Sequence, residues 1–489
     1  MENLENIINT KTLTNLVNLK NIVDTDNPKY EEYRNNIGKI IKHNAHLYIT
    51  INQLELYHLT FKKHQDTLLI NVLNSINNLG CLQLKDEHHT IDRTNILTPF
   101  KTTINYNCLE DFYYLLDDEV LINIKKIFEA TLIKLLKPYT NGIKKQIEVL
   151  NDIKVPEQRT PEWYIQRNNM ISASDSYYAC KNDHLSDYNK TIKKKLDRVE
   201  QPKFTATKAT LHGTLFEIVT QVVYETRFGV HIREYGCLPH PNYSYIGASP
   251  DGIVDKVNDP TSLDQISKIG RMVEIKNPVS RKITDEVPIG YFYQTQQQMA
   301  VCNLQVCDFV ESSITKNEEY MSLNDMLTDK LDLQLMDELS PEDLKDFIQN
   351  HNIPLQNLAN NGMEKGVLLW FQRKGDDRDE NLGVLHPLDI PYEERGINIW
   401  VNKQISEHRM KGYTHFQTYF WKLHKYDIKT VLFDQNLWDN KIFPGLTYFW
   451  KDVIEKRTMS EEAFQEWLDK TSSKKRKVGD KNTITYNFI

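Results

Sequence analysis

The sequence has few of the features that mark zinc-ribbon, membrane and secreted proteins. Its 489 residues include six cysteines, and none of them forms a CxxC pair. This pattern argues against a zinc ribbon or an iron–sulfur cluster and is typical of reduced intracellular thiols. No apolar run approaches the ~20 residues that span a membrane. The acidic start, Met1–Asn6, lacks the basic-then-apolar layout of a secretory signal. We therefore expect an intracellular protein with no membrane partner.

Positive charge is also in deficit. The chain has 60 Lys and Arg residues against 67 Asp and Glu, a formal net charge of -7. This balance excludes a protein coated in positive charge, but it leaves room for one basic groove on an acidic body. Hydrophobic residues make up 40% of the chain, which is enough to form cores. A length of this order predicts two or three domains.

Composition and periodicity divide the chain. Residues 1–150 carry apolar residues at helical spacing and are predicted to form a mostly helical domain of unknown role. Within them, Asp86–His89 are adjacent residues whose side chains point apart, so we interpret them as a solvated loop rather than a metal site. Residues 157–315 contain every strong motif. They are predicted to belong to a domain at 157–456 that includes an acidic, helical insertion at about 316–364.

The end of the chain, residues 471–489, is a polar tail with the basic cluster Lys474–Lys477. Such a cluster resembles a nuclear localisation signal. Its alternatives are a solvated charge run and a non-specific contact to phosphate.

A carboxylate and a lysine lie two residues apart in the segment Arg271–Pro278. The alternation of residue types predicts a strand with Glu274 and Lys276 on one face and with Val273 and Ile275 on the other. Taken alone, such a pair is most often an ordinary surface ion pair.

The turn tripeptide Pro250–Gly252 precedes that strand. Its Asp251 lies 23 residues before Glu274, a separation typical of a hairpin, which would bring the two carboxylates onto adjacent strands. Two carboxylates and a lysine make a site for a divalent cation. The acids supply the hard oxygen ligands that Mg²⁺ and Mn²⁺ prefer, and the lysine offsets charge in a transition state. The alternative is that Asp251 is only a turn residue.

A third acid, Glu217, precedes this turn in residues 211–228, which are predicted to form a helix. His212–Thr214 would open the helix, and Glu217 flanks its apolar stripe. This position either leaves Glu217 in solvent or points it at the metal site. The stripe consists of Leu215, Ile218, Val219, Val222 and Val223.

Residues 159–175 carry groups suited to binding phosphate. Thr160 is predicted to cap a helix that starts at Pro161, and Ser172 is predicted to form a second capping box with Asp175. A serine at a helix start and the guanidinium of Arg167 both suit a phosphate. The alternative is plain helix capping beside a surface arginine.

Residues 291–299 predict a further helix, on which Gln294 and Gln298 are neighbours one turn apart. Beside a metal site, one of these glutamines would reach substrate phosphate or water. The alternative is a solvated glutamine face.

In their order along the chain, these motifs resemble a known family. Pro250-Asp251 followed by Glu274-x-Lys276 resembles the PD-(D/E)xK nuclease signature. The wider set resembles the lambda-exonuclease or YqaJ-type viral recombinase branch, and the resemblance covers about residues 157–315. The matching elements are Trp163 to Arg167, Ala173-Ser174, Gly213 to Glu217, Ser249 to Gly252, Glu274 to Lys276, and Gln294.

This resemblance implies an α/β fold with a restriction-endonuclease-like core, a central mixed β-sheet flanked by helices, to which a helical N-terminal domain is added. It implies a role for each matching residue. Asp251, Glu274 and the backbone carbonyl of Ile275 would be metal ligands. Lys276 would be the catalytic lysine, and Glu217 a further metal ligand or a residue that orients water. The residues that grip a terminal phosphate would be Arg167, Ser174 and Gln294.

The implied activity is that of a Mg²⁺-dependent deoxyribonuclease, with one or two ions per site and Mn²⁺ as a substitute. It would digest one strand of double-stranded DNA from free ends, 5′ to 3′, in recombination, repair or genome processing. Relatives form toroidal trimers and leave a single strand for annealing, which implies a homo-oligomer and an annealing partner. The resemblance further implies a large DNA virus as the source, and the host nucleus or a cytoplasmic viral factory as the location.

Two alternatives stay open. A structure-specific endonuclease or an RNase would use the same fold and the same acids. A non-catalytic DNA-binding protein with a vestigial nuclease core belongs to another class, and the intact set of two acids and a lysine argues against it.

Overall fold

The computed structural model describes most of the chain in separate stretches. The predicted insertion from residue 318 onward, Asp86–His89 and the basic cluster Lys474–Lys477 lie outside the described residues. The described residues are 30–78, 118–157, 160–180, 185–199, 208–279, 281–317, 365–374, 380–387 and 394–472.

Helices and strands alternate along most of the chain. The helices are α1 (Tyr30–Asn52), α2 (Lys62–Asn78), α3 (Asp118–Asp152), α4 (Pro161–Asn168), α5 (Ser176–Cys180), α6 (Leu185–Lys193), α7 (Lys208–Phe228), α8 (Leu263–Ile266), α9 (Ile289–Cys302), α10 (Glu394–Met410), α11 (Gln435–Leu437), α12 (Phe443–Thr458) and α13 (Glu461–Ser472). The strands are β1 (Ile171–Ser172), β2 (Val230–Arg233), β3 (Leu238–Pro239), β4 (Ile246–Ala248), β5 (Gly252–Val257), β6 (Met272–Lys276), β7 (Val306–Asn317), β8 (Lys365–Arg373), β9 (Glu380–Leu385) and β10 (Thr414–Leu432).

The chain forms two compact units. One unit combines Met1–Gln146 with Val257–Ile269, and the other combines Ile147–Lys256 with Gly270–Ile489. None of the described helices is both long enough and apolar enough to cross a bilayer.

The first unit is helical where it is described, as the periodicity of residues 1–150 predicts. Helices α1, α2 and α3 bury apolar side chains from one face each, and Leu263 of α8 joins their core. The side chain of Gln65 on α2 donates a hydrogen bond to the hydroxyl of Ser267, with 3.1 Å between the two atoms. The buried core includes Ile37, Ile41, Leu68, Val72, Leu132 and Leu136.

The second unit is built on a seven-stranded mixed sheet in the order β2-β5-β6-β7-β10-β8-β9. Strands β6 and β7 are parallel, whereas β5 runs antiparallel to β6 and β10 runs antiparallel to β7 and β8. Long helices pack on the sheet, with apolar residues of α7 buried against β7, β8 and β10. The predicted central mixed sheet flanked by helices is therefore confirmed.

A small second sheet, in the order β1-β4-β3, lies under helix α9. The amide of Gln297 on α9 donates to the carbonyls of Ile171 in β1 and Gly247 in β4, both at 2.9 Å. One buried side chain thereby joins the helix to two strands.

The strand and helix predictions for the second unit are confirmed, with changes in length. Residues 366–371 and 418–423, which the sequence predicts as strands, lie within β8 and β10. Residues 446–455, which the sequence predicts as a helix, lie within α12. The strand–turn–strand at residues 245–254 is present, but β4 and β5 belong to different sheets, so the turn at Pro250 crosses between them.

Helix α7 differs from the predicted helix in where it starts and in what it buries. It begins at Lys208, ahead of His212–Thr214. Leu215, Val219 and Val223 are buried as the stripe predicts, whereas Ile218 and Val222 are half-buried. The buried face is displaced because it also includes side chains with polar atoms or aromatic rings, namely Phe216, Thr220 and Tyr224.

Gly366 on β8 tests the packing of this sheet. It pairs with Trp421 on β10, and a Cβ at Gly366 would lie 2.8 Å from the buried indole ring. Gly366→Ala should therefore lower the free energy of unfolding by roughly 1–3 kcal/mol, as overpacking does. Denaturant unfolding followed by tryptophan fluorescence measures the loss.

The matched control is Gly396→Ala on α10, where an added Cβ meets nothing within 4 Å. That change should leave the free energy of unfolding within about 0.5 kcal/mol of wild type, because Gly396 is exposed in the first turn of α10 and has room for the Cβ. If both variants unfold at the same denaturant concentration, the packing at Gly366 is not as described.

Candidate active site

Strand pairing brings the first two predicted acids together. In the antiparallel ladder, Gly252 faces Val273 and Ile253 faces Met272. One step further along the same register, Asp251 stands opposite Glu274. The backbone N–H of Ile275 donates to Oδ2 of Asp251 at 2.7 Å, which fixes the turn carboxylate at the end of β6.

Glu274 is fully buried, at 0% exposure, and is surrounded by donors. Gln294 Nε2 donates to Oε1 at 2.6 Å, and Gln298 Nε2 donates to Oε2 at 2.7 Å. Lys276 Nζ forms a short ion pair with Oε1. The interpretation of Glu274 and Lys276 as a surface pair is therefore wrong, because the carboxylate lies between β6 and α9, out of solvent. A carboxylate buried in this way must be paired with a cation or hydrogen-bonded.

Lys276 serves both carboxylates. Its ammonium also lies 4.0 Å from Oδ2 of Asp251 and 5.2 Å from the ring centre of Tyr291. Burial alone would lower the pKa of Lys276, but the charges of Glu274 and Asp251 outweigh it and raise that pKa above its ordinary value. Lys276 is therefore a positively charged side chain that the two carboxylates hold in place.

The electrostatics of Asp251 show excess negative charge. Burial and the neighbouring Glu274 raise the pKa of Asp251 well above its ordinary range, and Lys276 only partly offsets them. Glu217 on α7 raises that pKa further, which places its charge within electrostatic reach. Glu217 itself is exposed, as its flanking position predicts. One ammonium thus faces more carboxylates than it neutralises.

Asp251 and Glu274 are the two carboxylates in contact with the lysine. No group of three or more Asp, Glu, His or Cys side chains with metal-binding geometry occurs in the described part of the chain. A cation held here by oxygen would therefore use Asp251 and Glu274, with Glu217 and the carbonyl of Ile275 as further donors.

The residues that are predicted to bind phosphate form a second cluster, which lies on α4, on β1 and just after β1. Thr160 caps α4 as predicted and accepts a hydrogen bond from the backbone N–H of Trp163 at 3.3 Å. The guanidinium carbon of Arg167 lies 4.6 Å from the Trp163 ring centre. Its Nη2 donates a long hydrogen bond of 3.5 Å to the hydroxyl of Ser172, which lies 3.2 Å from the hydroxyl of Ser174.

The predicted capping box at Ser172 and Asp175 does not form. Ser172 occupies the N-cap position, but its hydroxyl makes no capping bond and instead donates to Oδ2 of Asp175 at 2.9 Å. The carboxylate of Asp175 stays ionised and accepts that hydrogen bond because Lys194 Nζ and Lys195 Nζ lie 3.1 and 3.4 Å from its oxygens. A charged acceptor forms a stronger hydrogen bond than a neutral one.

Sequence reasoning missed three features of these clusters. Gln298 holds the second oxygen of Glu274, a role that its spacing of four residues from Gln294 could have indicated. The Asp175–Lys195 ion pair joins segments 20 residues apart, and neither residue type nor spacing marks it. Gln294 lies against Glu274 and not in the Arg167 cluster.

Comparison with known proteins finds a related domain in this part of the chain. Residues 162–305 match the model of the YqaJ-like viral recombinase domain, the range that contains both clusters. This match confirms the resemblance to the YqaJ-type viral recombinase branch that the motifs indicate.

Viral proteins are among the relatives. The chain is 27% identical over 357 residues to an uncharacterized protein of Acanthamoeba polyphaga mimivirus, which aligns 69% of this chain with 59% of that protein. It is 28% identical over 176 residues to a protein of African swine fever virus, over 30% of this chain and 46% of that protein. The chain spans less than two thirds of the length of either relative.

A solved structure with a similar fold is the alkaline exonuclease LHK-Exo of Laribacter hongkongensis. It shares 17% identity and a TM-score of 0.32 with this chain, covering 64% of this chain and 98% of the exonuclease. The complex of LHK-Exo with dAMP gives a TM-score of 0.31. At these scores, the fold assignment depends on the strand order described above.

Asp175→Asn tests the electrostatics of the second cluster. Lys195 and Lys194 hold the pKa of Asp175 below its ordinary value of 3.8, although burial opposes them. At pH 7 the variant should lose about 3 kcal/mol of free energy of unfolding, as when one partner of a buried pair is removed. A carboxyl with a lowered folded-state pKa stabilises the protein above its unfolded-state pKa. The difference should therefore be constant at higher pH and shrink as the pH falls below about 3.8.

Denaturant midpoints measured across pH give this profile. Asp197→Asn is the control, because its carboxylate lies on the surface and accepts an exposed hydrogen bond from Asn168. A loss for Asp175→Asn that does not change with pH would contradict an ionic role.

Proposed function

We propose that this protein is a divalent-metal-dependent exonuclease that hydrolyses one strand of double-stranded DNA from a free end, 5′ to 3′. The observation that carries the proposal is the contact set of Asp251, Glu274 and Lys276 inside a YqaJ-like viral recombinase domain. This set has the two acids and the lysine that phosphodiester hydrolysis needs. The product strand would suit recombination, repair or genome processing in a large DNA virus.

The residues fit a hard divalent cation. Asp251 and Glu274 supply carboxylate oxygens, and burial together with the charge of Glu274 raises the pKa of Asp251. An added positive charge next to these carboxylates would stabilise their ionised forms. We assign Asp251, Glu274, the Ile275 carbonyl and Glu217 as ligands of Mg²⁺, with Mn²⁺ as a substitute. When bound, one or two such ions would activate water and offset the charge that develops on the phosphate.

The chain's own side chains orient the reaction. Lys276 is partly exposed, and the carboxylates keep it charged, so its ammonium can stabilise negative charge that develops on the scissile phosphate. Gln294 and Gln298 hold both oxygens of Glu274 in one orientation. A carboxylate fixed in this way loses little free energy to reorganisation during the reaction.

The Arg167 cluster would receive the terminal phosphate of the DNA. Arg167 and the hydroxyl of Ser174 offer donors to one anion, and Asp175, which accepts the hydrogen bond of Ser172, is neutralised by two lysines. We assign Arg167 and Ser174 to this role. Gln294 would join them only if substrate draws it away from Glu274. Duplex DNA with free ends is thus the proposed substrate, with an annealing protein and a second copy of the chain as proposed partners.

Glu274→Gln tests the assignment. The amide keeps the shape of the side chain and removes the charge that Lys276 and the cation need. Digestion of an end-labelled linear duplex in Mg²⁺ should slow by about 10²–10⁴-fold, the usual size of such losses, while DNA affinity changes little. Glu234→Gln, on an exposed glutamate, is the matched control. A Glu274→Gln enzyme as fast as wild type would contradict the assignment and would support a non-catalytic role.

The form of the DNA separates the proposal from the endonuclease alternative. An exonuclease leaves a covalently closed circle intact, whereas an endonuclease nicks it. Uniformly labelled RNA in the same assay tests the RNase alternative.

Arg167→Ala tests the phosphate pocket. A charge-assisted hydrogen bond contributes about 1.5–3 kcal/mol, so the preference for a 5′-phosphorylated end over a 5′-hydroxyl end should fall by roughly 10–100-fold. The measurement is the ratio of initial rates on the two ends. Arg198→Ala is the control, because its guanidinium pairs with Glu461 on α13 instead. An unchanged ratio in Arg167→Ala would place the terminal phosphate elsewhere.

A further inference from the structure

We propose that Thr220, Asn277 and Ser312, named here the polar trio, are positioning residues. They set the helix that carries Glu217 against the strand that carries Glu274 and Lys276. This inference rests on the proposed function, because it assigns a role in that reaction to residues that lie outside the two clusters.

The polar trio joins three elements inside the core. Thr220 lies on α7, Ser312 lies on β7, and Asn277 directly follows Lys276 at the end of β6. The hydroxyl of Thr220 donates to Oδ1 of Asn277 at 2.6 Å and lies 2.6 Å from the hydroxyl of Ser312. Ser312 forms a short hydrogen bond to the same Oδ1. Thr220 and Ser312 are 0% exposed and Asn277 is 8% exposed.

Asn277 holds α7 on both sides of Glu217. Its Oδ1 accepts from Thr220, three residues after Glu217, and its Nδ2 lies 3.5 Å from the carbonyl of Gly213, four residues before it. One amide therefore spans two helical turns and leaves Glu217 between its two contacts. A shift of α7 along its axis would break one contact or the other.

The polar trio works from the opposite side of the sheet. Glu274 and Lys276 face α9, where Gln294 and Gln298 lie. Successive residues of a strand point to opposite faces, so Asn277 faces α7. Because Lys276 and Asn277 are consecutive, anchoring the second fixes the backbone that carries the first.

The free energies of its hydrogen bonds indicate that the polar trio positions the helix and the strand and adds little to stability. Buried hydroxyl and amide groups gain little net free energy from their hydrogen bonds, since they give up equally good bonds to water. An apolar set of the same shape would hold the core about as well. A buried polar network adds specificity. It favours one alignment of α7 against β6 and β7, because any other alignment leaves buried polar groups without hydrogen bonds.

The test compares two hydroxyl removals on the same helix of the full-length protein. Thr220→Val removes a hydroxyl from the polar trio. Tyr224→Phe removes the next buried hydroxyl along α7, which donates to Asp308 on β7 at 2.7 Å. Thr220→Ser restores the hydroxyl of the polar trio. The readouts are kcat and KM on linear duplex in Mg²⁺, Mn²⁺ affinity by titration calorimetry, and hydrogen exchange at residues 275–277.

In Thr220→Val, kcat should fall about 10–100-fold, as misplaced catalytic groups cause, with KM within about twofold of wild type. Mn²⁺ affinity should fall roughly 10-fold, and exchange at residues 275–277 should quicken. Thr220→Ser and Tyr224→Phe should stay near wild type. Equal losses in Thr220→Val and Tyr224→Phe, or no loss in Thr220→Val, would overturn the inference.

Failure of the proposed function would be recognised separately. If the wild-type protein digests no duplex, the exonuclease proposal fails. Mn²⁺ affinity and hydrogen exchange still decide the role of the polar trio in that case, because neither requires cleavage.

Discussion

The pairing of β5 with β6 is the constraint on which the site depends. It sets Asp251 opposite Glu274 and ties the Asp251 carboxylate to the backbone N–H of Ile275. Two acids so close inside the protein would be unstable without donors, and the surroundings supply them. Lys276 lies within contact of both, and Gln294 and Gln298 each donate to one oxygen of Glu274. Burial and the charge of Glu274 nevertheless raise the pKa of Asp251 above its ordinary range.

The rest of the second unit holds that pair in place from two sides. Helix α9 brings the glutamines to one face of β6, and Gln297 of the same helix fixes the small sheet from which the Asp251 turn emerges. Helix α7 lies on the other face and carries Glu217, anchored through Thr220 to Asn277. The net charge of -7 is therefore compatible with the proposed DNA substrate, because the acids at the site are the ones a cation would neutralise.

Local patterns in the sequence were sufficient to predict most of the elements that build the site. Alternation predicted β6, Pro250–Gly252 predicted the turn, and Thr160 predicted the start of α4, since each depends on residues close in the chain. Contacts set by tertiary packing were not predictable in this way. The Ser172 hydroxyl donates to Asp175 and does not cap the backbone of the following helical turn, because lysines from another segment keep that carboxylate charged. Gln296, Gln297 and Gln298 of α9 are buried, where a run of such residues indicated a solvated face.

The central claim is that Asp251 and Glu274 together hold a divalent cation. Titration of the metal-free protein with Mn²⁺, followed by calorimetry, tests it most directly. The account predicts saturable binding of one or two ions per chain, and a loss of at least about ten-fold in affinity for Asp251→Asn, since removal of a ligand costs no less than removal of its supporting partners. Wild-type protein that binds no Mn²⁺, or an Asp251→Asn variant that binds it equally well, would contradict the claim.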